Sequence, residues 1–234
     1  MNKRSGFTLI ELMIVVSIIA IIASISIPNL LSARLNANET SAIATLRSIS
    51  TAQAQIQASA KCDVDTDGTG EFGLLRELSG GVGVRTNTAG TTVGTVMNPP
   101  ALSGAFRLFN SNSEVSRSGY LFKLYLPSAG GVGSQESSTS ATALSPVLST
   151  DLCETSWCCY AWPSAYAHSG NRTFFINQGG DITGTDYDQY SGTGDFAAGN
   201  AGRAFKLGGS VGNMTALIAV GTKGRDNQIW KQIN

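Results

Sequence analysis

The sequence predicts an α+β protein: a long N-terminal α-helix, apolar in its first half and amphipathic in its second, packed on a C-terminal antiparallel β-sheet head with long loops. Three observations predict it. Residues 7–27 are a nearly continuous apolar run, and residues 29–60 continue without proline or glycine. Beyond residue 61, short apolar segments alternate with connections rich in Gly, Ser and Thr. A chain of 234 residues fits one domain with an appendage.

The apolar run from Phe7 to Ile27 is broken only by Thr8, Glu11, Ser17, Ser24 and Ser26. As a helix it reaches about 31 Å at roughly 1.5 Å per residue, enough to cross a bilayer core. Lys3 and Arg4 precede it, which favours a cytoplasmic N-terminus. A secretory signal has a shorter apolar core followed by a small-residue cleavage site. Retention of this longer segment is therefore expected.

Pro28 interrupts the run, and the helical pattern resumes at once. Ile43, Leu46, Ile49, Gln53 and Ile56 recur at spacings of three and four, an apolar stripe broken only at Gln53. The frequent alanines favour helix. One helix over residues 8–60 is expected, with a kink at Pro28 and a length near 80 Å at about 1.5 Å per residue. Its first half, apolar all round, must be buried in lipid or among copies of itself. Its second half can pack on a domain of this same chain.

Residues 61–234 are expected to form the head. Residues 119–127, GYLFKLYLP, read as a strand ending in proline, and residues 172–182, RTFFINQGGDI, as a hairpin turning at QGG. Residues 214–221, MTALIAVG, and 105–109, AFRLF, are further strand candidates. The polar and glycine-rich stretches between them suit surface loops.

The stretch KRSGFTLIELMIVVSIIAIIASISIPNLL resembles the N-terminus of type IV pilins and of the related pseudopilins of type II secretion systems. The resemblance implies that residues 1–6 are a basic leader removed by a prepilin peptidase. Cleavage would fall between Gly6 and Phe7, with N-methylation of Phe7, and Glu11 would be the acid used in assembly. Pro28 stands where the family often has its helix-breaking proline. Ala20 stands where it often has glycine, so helix melting on assembly is less assured. The resemblance further implies insertion in the inner membrane, an assembly platform there, and a periplasmic or extracellular homo-oligomeric filament.

The physics of Glu11 agrees. An unpaired carboxylate in hydrocarbon costs roughly 2.5–3.5 kcal/mol on insertion scales, so a partner is expected. Cleavage after Gly6 would give Phe7 a free amine, which could pair with Glu11 of a neighbouring subunit and set the register. The alternative is an acid at the headgroups of a simple signal anchor, pairing with nothing.

Two features of the head could carry chemistry. Asp63, Asp65, Asp67 and Glu71 follow the spacing of the first part of an EF-hand loop, with Gly68 after the third aspartate. Leu74 occupies the place where that loop needs a bidentate glutamate, so the EF-hand is excluded. A different oxygen cage for calcium competes with a solvated turn. A second acidic stretch, Asp181, Asp186, Asp188 and Asp195, has no ligand spacing.

The other feature is the cysteine set Cys62, Cys153, Cys158 and Cys159, the last three within seven residues beside Trp157, Trp162 and the sole histidine, His168. An even number of cysteines in an exported chain predicts two disulfides, with connectivity left open. Zinc is disfavoured by the lack of CxxC spacing, and a Cys–His nucleophile pair by the lack of a partner acid. The aromatic cluster suits a packed core. The triplets beginning at Asn38, Asn171 and Asn213 receive no function.

Acids and bases balance at 16 each and charged residues make up only 14% of the chain, which argues against nucleic acid as a partner. The reading that results is a structural filament subunit and not an enzyme, with no resident cofactor save the calcium candidate. A pseudopilin of type II secretion is the rival within the class. An exported binding or enzyme domain on a signal anchor is the rival outside it.

Overall fold

The computed structural model describes residues 6–233 save 137–143, 145, 195, 197–199, 207, 209 and 211. The basic pair Lys3–Arg4 and Asp195 thus lie outside the described residues. The fold class is as the sequence predicts: a long N-terminal helix and an antiparallel sheet.

Helix α1 runs from Leu9 to Ala58, 50 residues or about 75 Å at 1.5 Å per residue. It continues through Pro28, which lacks the N–H that would bond the carbonyl one turn back. The large apolar side chains from Phe7 to Leu31 are 44–87% exposed. From Glu39 onward one face is buried: Glu39, Ala42, Thr45, Leu46, Ile49, Ala52, Gln53 and Ile56. Among the described residues, α1 is the helix long and apolar enough to cross a membrane.

The head begins with a one-turn helix α2 (Leu75–Leu78) and the hairpin β1 (Gly83–Arg85) with β2 (Val93–Val96). The main sheet follows: β3 (Val115–Arg117), β4 (Tyr120–Pro127), β5 (Gly133–Ser134), then helix α3 (Thr150–Thr155), β6 (Cys158–Pro163), β7 (Thr173–Asn177), β8 (Thr183–Thr185) and β9 (Lys231–Gln232). Its spatial order is β3-β4-β6-β7-β8-β9, with β5 also on β4, and every pairing is antiparallel.

Period-two alternation divides the sheet between two cores. Phe122, Leu124 and Leu126 of β4, Cys159 and Ala161 of β6, and Phe174 and Ile176 of β7 join Leu46, Ile49 and Ile56 of α1 in one cluster. Leu121 and Tyr125, Cys158, Tyr160 and Trp162, and Phe175 join Tyr190, Phe196, Phe205, Met214 and Trp230 in another. The sheet is therefore covered by α1 on one face and by the C-terminal irregular segment on the other. Tyr160 lies at the centre of the second core, its ring 4.6 Å from Phe196 and 4.9 Å from Phe175.

Two strand expectations are corrected. Residues 105–109 contribute to a 3₁₀ turn, Gly104–Arg107, which buries Phe106 alone as an anchor under Phe122. Residues 214–221 form no strand and make only isolated bridges, Ile218 to Phe205 and Val220 to Trp230. Met214 and Ala219 are buried while Leu217 and Val220 point to solvent. The run is apolar without being two-sidedly packed. The expected hairpin at 172–182 is present as β7 and β8, with Gly180 at φ +77° in the turn.

Candidate assembly and docking sites

At the start of α1, Thr8 and Glu11 form a capping box. Glu11 N–H bonds Thr8 Oγ1 at 3.3 Å, while the Glu11 carboxylate accepts from Thr8 N–H at 2.9 Å and from its hydroxyl at 2.6 Å. Thr8-x-x-Glu11 is the capping-box signature in the sequence itself, so the acid has a local role beside any role in assembly. Glu11 is thus not wholly unpartnered in the isolated chain. Among the described residues, the hydrogen bonds it accepts go to Oε2 and none goes to Oε1. Gly6 and Phe7 precede the helix, both exposed and outside any regular element.

The second half of α1 docks through polar groups as well as its stripe. Gln53, fully buried, donates to the Gly73 carbonyl at 2.8 Å and accepts from the Gly73 N–H at 2.8 Å. The apparent break in the stripe is therefore a two-point clasp on the backbone. Glu39 Oε2 pairs with the Arg172 guanidinium at 2.7 Å, and Glu39 Oε1 accepts from the N–H groups of Asn171 and Arg172. Asn38 donates to the Ser169 carbonyl at 2.8 Å. Glycine is required nearby, because a Cβ on Gly170 would meet the Tyr120 hydroxyl, which itself donates to the Arg172 carbonyl. These polar clasps fix where the rod leaves the head. Pattern reading missed Glu39 and Arg172, since two charges 133 residues apart carry no local signal.

The acidic loop separates into two parts. Carboxylate oxygens of Asp63, Asp65 and Asp67 lie within 4.8 Å of one another. Each also accepts a backbone N–H within the loop, from Gly68, Asp67 and Thr69 respectively. Such bonds are those of turn-forming aspartates. Glu71, expected as a fourth calcium ligand, is elsewhere: it is buried and bonded to Arg85 Nη2 at 3.0 Å, to the Cys62 thiol and to the Val64 N–H. Arg85 also reaches Glu77 at 2.7 Å and the Phe72 carbonyl at 2.7 Å. The reason is energetic, since a buried guanidinium requires both acids at hand.

The four cysteines are free and buried, where two disulfides are expected. Adjacent residues of a strand face opposite ways, so Cys158 lies in the far core while Cys62, Cys153 and Cys159 lie in the core under α1. Burial holds all four thiols well above their ordinary value, Cys153 at about 12. A nucleophilic Cys–His pair is excluded as well. His168 is exposed on the turn beyond one end of β6, and the two cysteines are buried at the other.

Comparison with known proteins bears on the N-terminal segment most directly. Residues 1–27 match the family model described as the prokaryotic N-terminal methylation motif. The type IV wide pilus major component PilA4 of Thermus thermophilus is 62% identical over 40 residues, 17% of this chain and 30% of that protein. The type IV major pilin protein PilA of Myxococcus xanthus is 37% identical over 87 residues, 37% of this chain and 39% of that protein. The matched regions thus span well under half the length of these curated relatives. No solved structure matches.

Proposed function

With an N-terminal segment that carries the prokaryotic methylation motif and is homologous to type IV pilins, we propose that this chain is a structural subunit of a type IV pilus. The observation that carries the reading is the contrast within α1. Its first half exposes every large apolar side chain from Phe7 to Leu31, while its second half is clasped to the head by Glu39 and Gln53. A soluble monomer does not leave so long an apolar rod in water. Lipid covers it before assembly, with the N-terminus on the cytoplasmic side of the inner membrane, and neighbouring α1 helices cover it afterwards.

In this reading a prepilin peptidase cuts between Gly6 and Phe7, and Phe7 is then N-methylated. The new amine meets Glu11 of a neighbouring subunit as an inner-membrane assembly platform adds the chain to the filament. Glu11 then serves twice. Oε2 keeps the helix start capped by Thr8, and Oε1 takes the neighbour's amine, so neither charge stands alone in an apolar core. The heads form the outer, periplasmic and then extracellular, surface. No catalytic residue is assigned and no nucleic-acid partner is proposed.

That both relatives are type IV pilus components favours a pilus over a pseudopilus of type II secretion. The test is Glu11→Ala as the only copy of the chain in cells. Membrane insertion is expected to persist while surface filaments, scored by electron microscopy, disappear. Normal filaments from that variant would refute the role given to the acid. Secretion defects in a deletion strain whose wild-type parent bears no surface filaments would move the chain to the pseudopilins.

A further inference from the structure

A groove on the head stands apart from every contact described so far. It has a volume of about 490 Å³ and runs between the end of β8 with the loop after it, the turn after β6, and the C-terminal segment. Its size lies within the range of small-molecule sites, about 300–1,000 Å³. Two half-buried tyrosines, Tyr166 and Tyr187, line it, and Tyr187 is held edge-on to Tyr190 at 5.0 Å.

The charged groups lining it are Asp186, Asp188, Lys223 and Lys231. They balance in sign, yet among the described residues no ion pair joins any of them. The side chains of Asp186, Lys223 and Lys231, like that of Asn227 beside them, make no hydrogen bond among the described residues, nor do the two tyrosine hydroxyls. A groove in which donors and acceptors of both signs stand unpaired beside aromatic faces is furnished for a ligand that both gives and accepts hydrogen bonds.

We propose that this groove binds a neutral saccharide. Sugar hydroxyls donate to Asp186 and Asp188 and accept from Lys223, Lys231 and Asn227, while the C–H face of a ring lies on a tyrosine. An apolar ligand would strand those polar groups without partners. A polyanion would meet the two aspartates, and a polycation the two lysines.

The position of the groove rests on the pilus reading. Its Tyr187 wall packs on the core across the sheet from α1. In a filament with α1 at the axis it therefore faces outward. The ligand class would then be a surface oligosaccharide on another cell or a matrix.

The test passes the detergent-solubilised full chain over beads carrying lactose, cellobiose, maltose or N,N′-diacetylchitobiose. Retention on at least one of them, released by the same free sugar, is expected. Asp186→Ala and Tyr166→Ala should each weaken it about tenfold or more, with unfolding temperature unchanged. Retention on none of the four overturns the proposal, as does retention that both variants leave intact. Stronger retention on heparin or polylysine than on any neutral sugar overturns it too. Both variants should still form filaments, and loss of filaments would place the groove in assembly and defeat the proposal. If the wild-type chain forms no filaments, the pilus reading fails while the bead assay still decides the groove.

Discussion

Replacing Gln53 by leucine separates two accounts of α1. Read as a stripe, the sequence makes Gln53 a flaw that leucine would mend, raising stability. In the structure Gln53 is fully buried and satisfies both backbone groups of Gly73. Leucine would leave the Gly73 N–H and carbonyl in a dry interior, each costing about 1–3 kcal/mol. The greater apolarity of leucine recovers about 1 kcal/mol of this. The net loss is about 1–5 kcal/mol, and for a chain of this size roughly 2–4 °C of Tm per kcal/mol. A fall of about 2–20 °C is therefore expected. The assay is thermal unfolding in detergent, followed by fluorescence of the buried Trp157, Trp162 and Trp230. Gln55→Leu on the exposed face is the control, expected to stay within about 0.5 kcal/mol. A Gln53→Leu variant as stable as wild type, or more stable, would refute the clasp.

Arg85→Met should destabilise by about 3–5 kcal/mol, because Glu71 and Glu77 would remain as buried carboxylates without their cation; a denaturant midpoint unchanged from wild type would contradict this. Stability should also depend on pH through Glu136, whose carboxyl is raised to about 8 by burial and then by the nearby Glu77. Between the ordinary value 4.5 and about 8 the folded state holds a proton that the unfolded state has lost, so stability should fall across that window as pH rises. Lys123, lowered to about 8 by burial, should act oppositely and restore stability from about 8 toward 10.5. Glu136→Gln should flatten the first slope in a Tm-against-pH series, and an unchanged slope would assign it elsewhere. Finally, Cys158 should remain a thiol in the native exported chain, since the other three cysteines lie across the sheet. Maleimide labelling after non-reducing denaturation should mark it, and a disulfide-linked peptide containing Cys158 would overturn the assignment of faces.

The legible parts of this chain were those whose signal is local. The apolar run and the stripe at 43–56 announced α1 to within two residues at its C-terminal end. Alternation in YLFKLYLP announced β4, and QGG the turn between β7 and β8. The central strand β6 was concealed because CCYAWP is buried on both faces, so it shows no polar alternation and its cysteines drew a chemical reading instead. The apolar run at 214–221 misled in the opposite sense, packing by single residues on the far core with bridges in place of a ladder. Glu71 looked like a ligand by spacing, but its partner Arg85 lies beyond the loop, and only the folded chain brings it near. The Glu39–Arg172 clasp and the saccharide groove depend on residues far apart in sequence. No periodicity could have revealed either.

The central claim is that the exposed apolar half of α1 is a processed filament core. Mass spectrometry of the N-terminal peptide from sheared surface filaments tests it most directly. The account predicts a peptide that begins at Phe7, carries a methyl group on its amine and retains Glu11. Filaments that lack this chain, or a membrane-bound chain still beginning at Met1 with Phe7 unmodified, would contradict it.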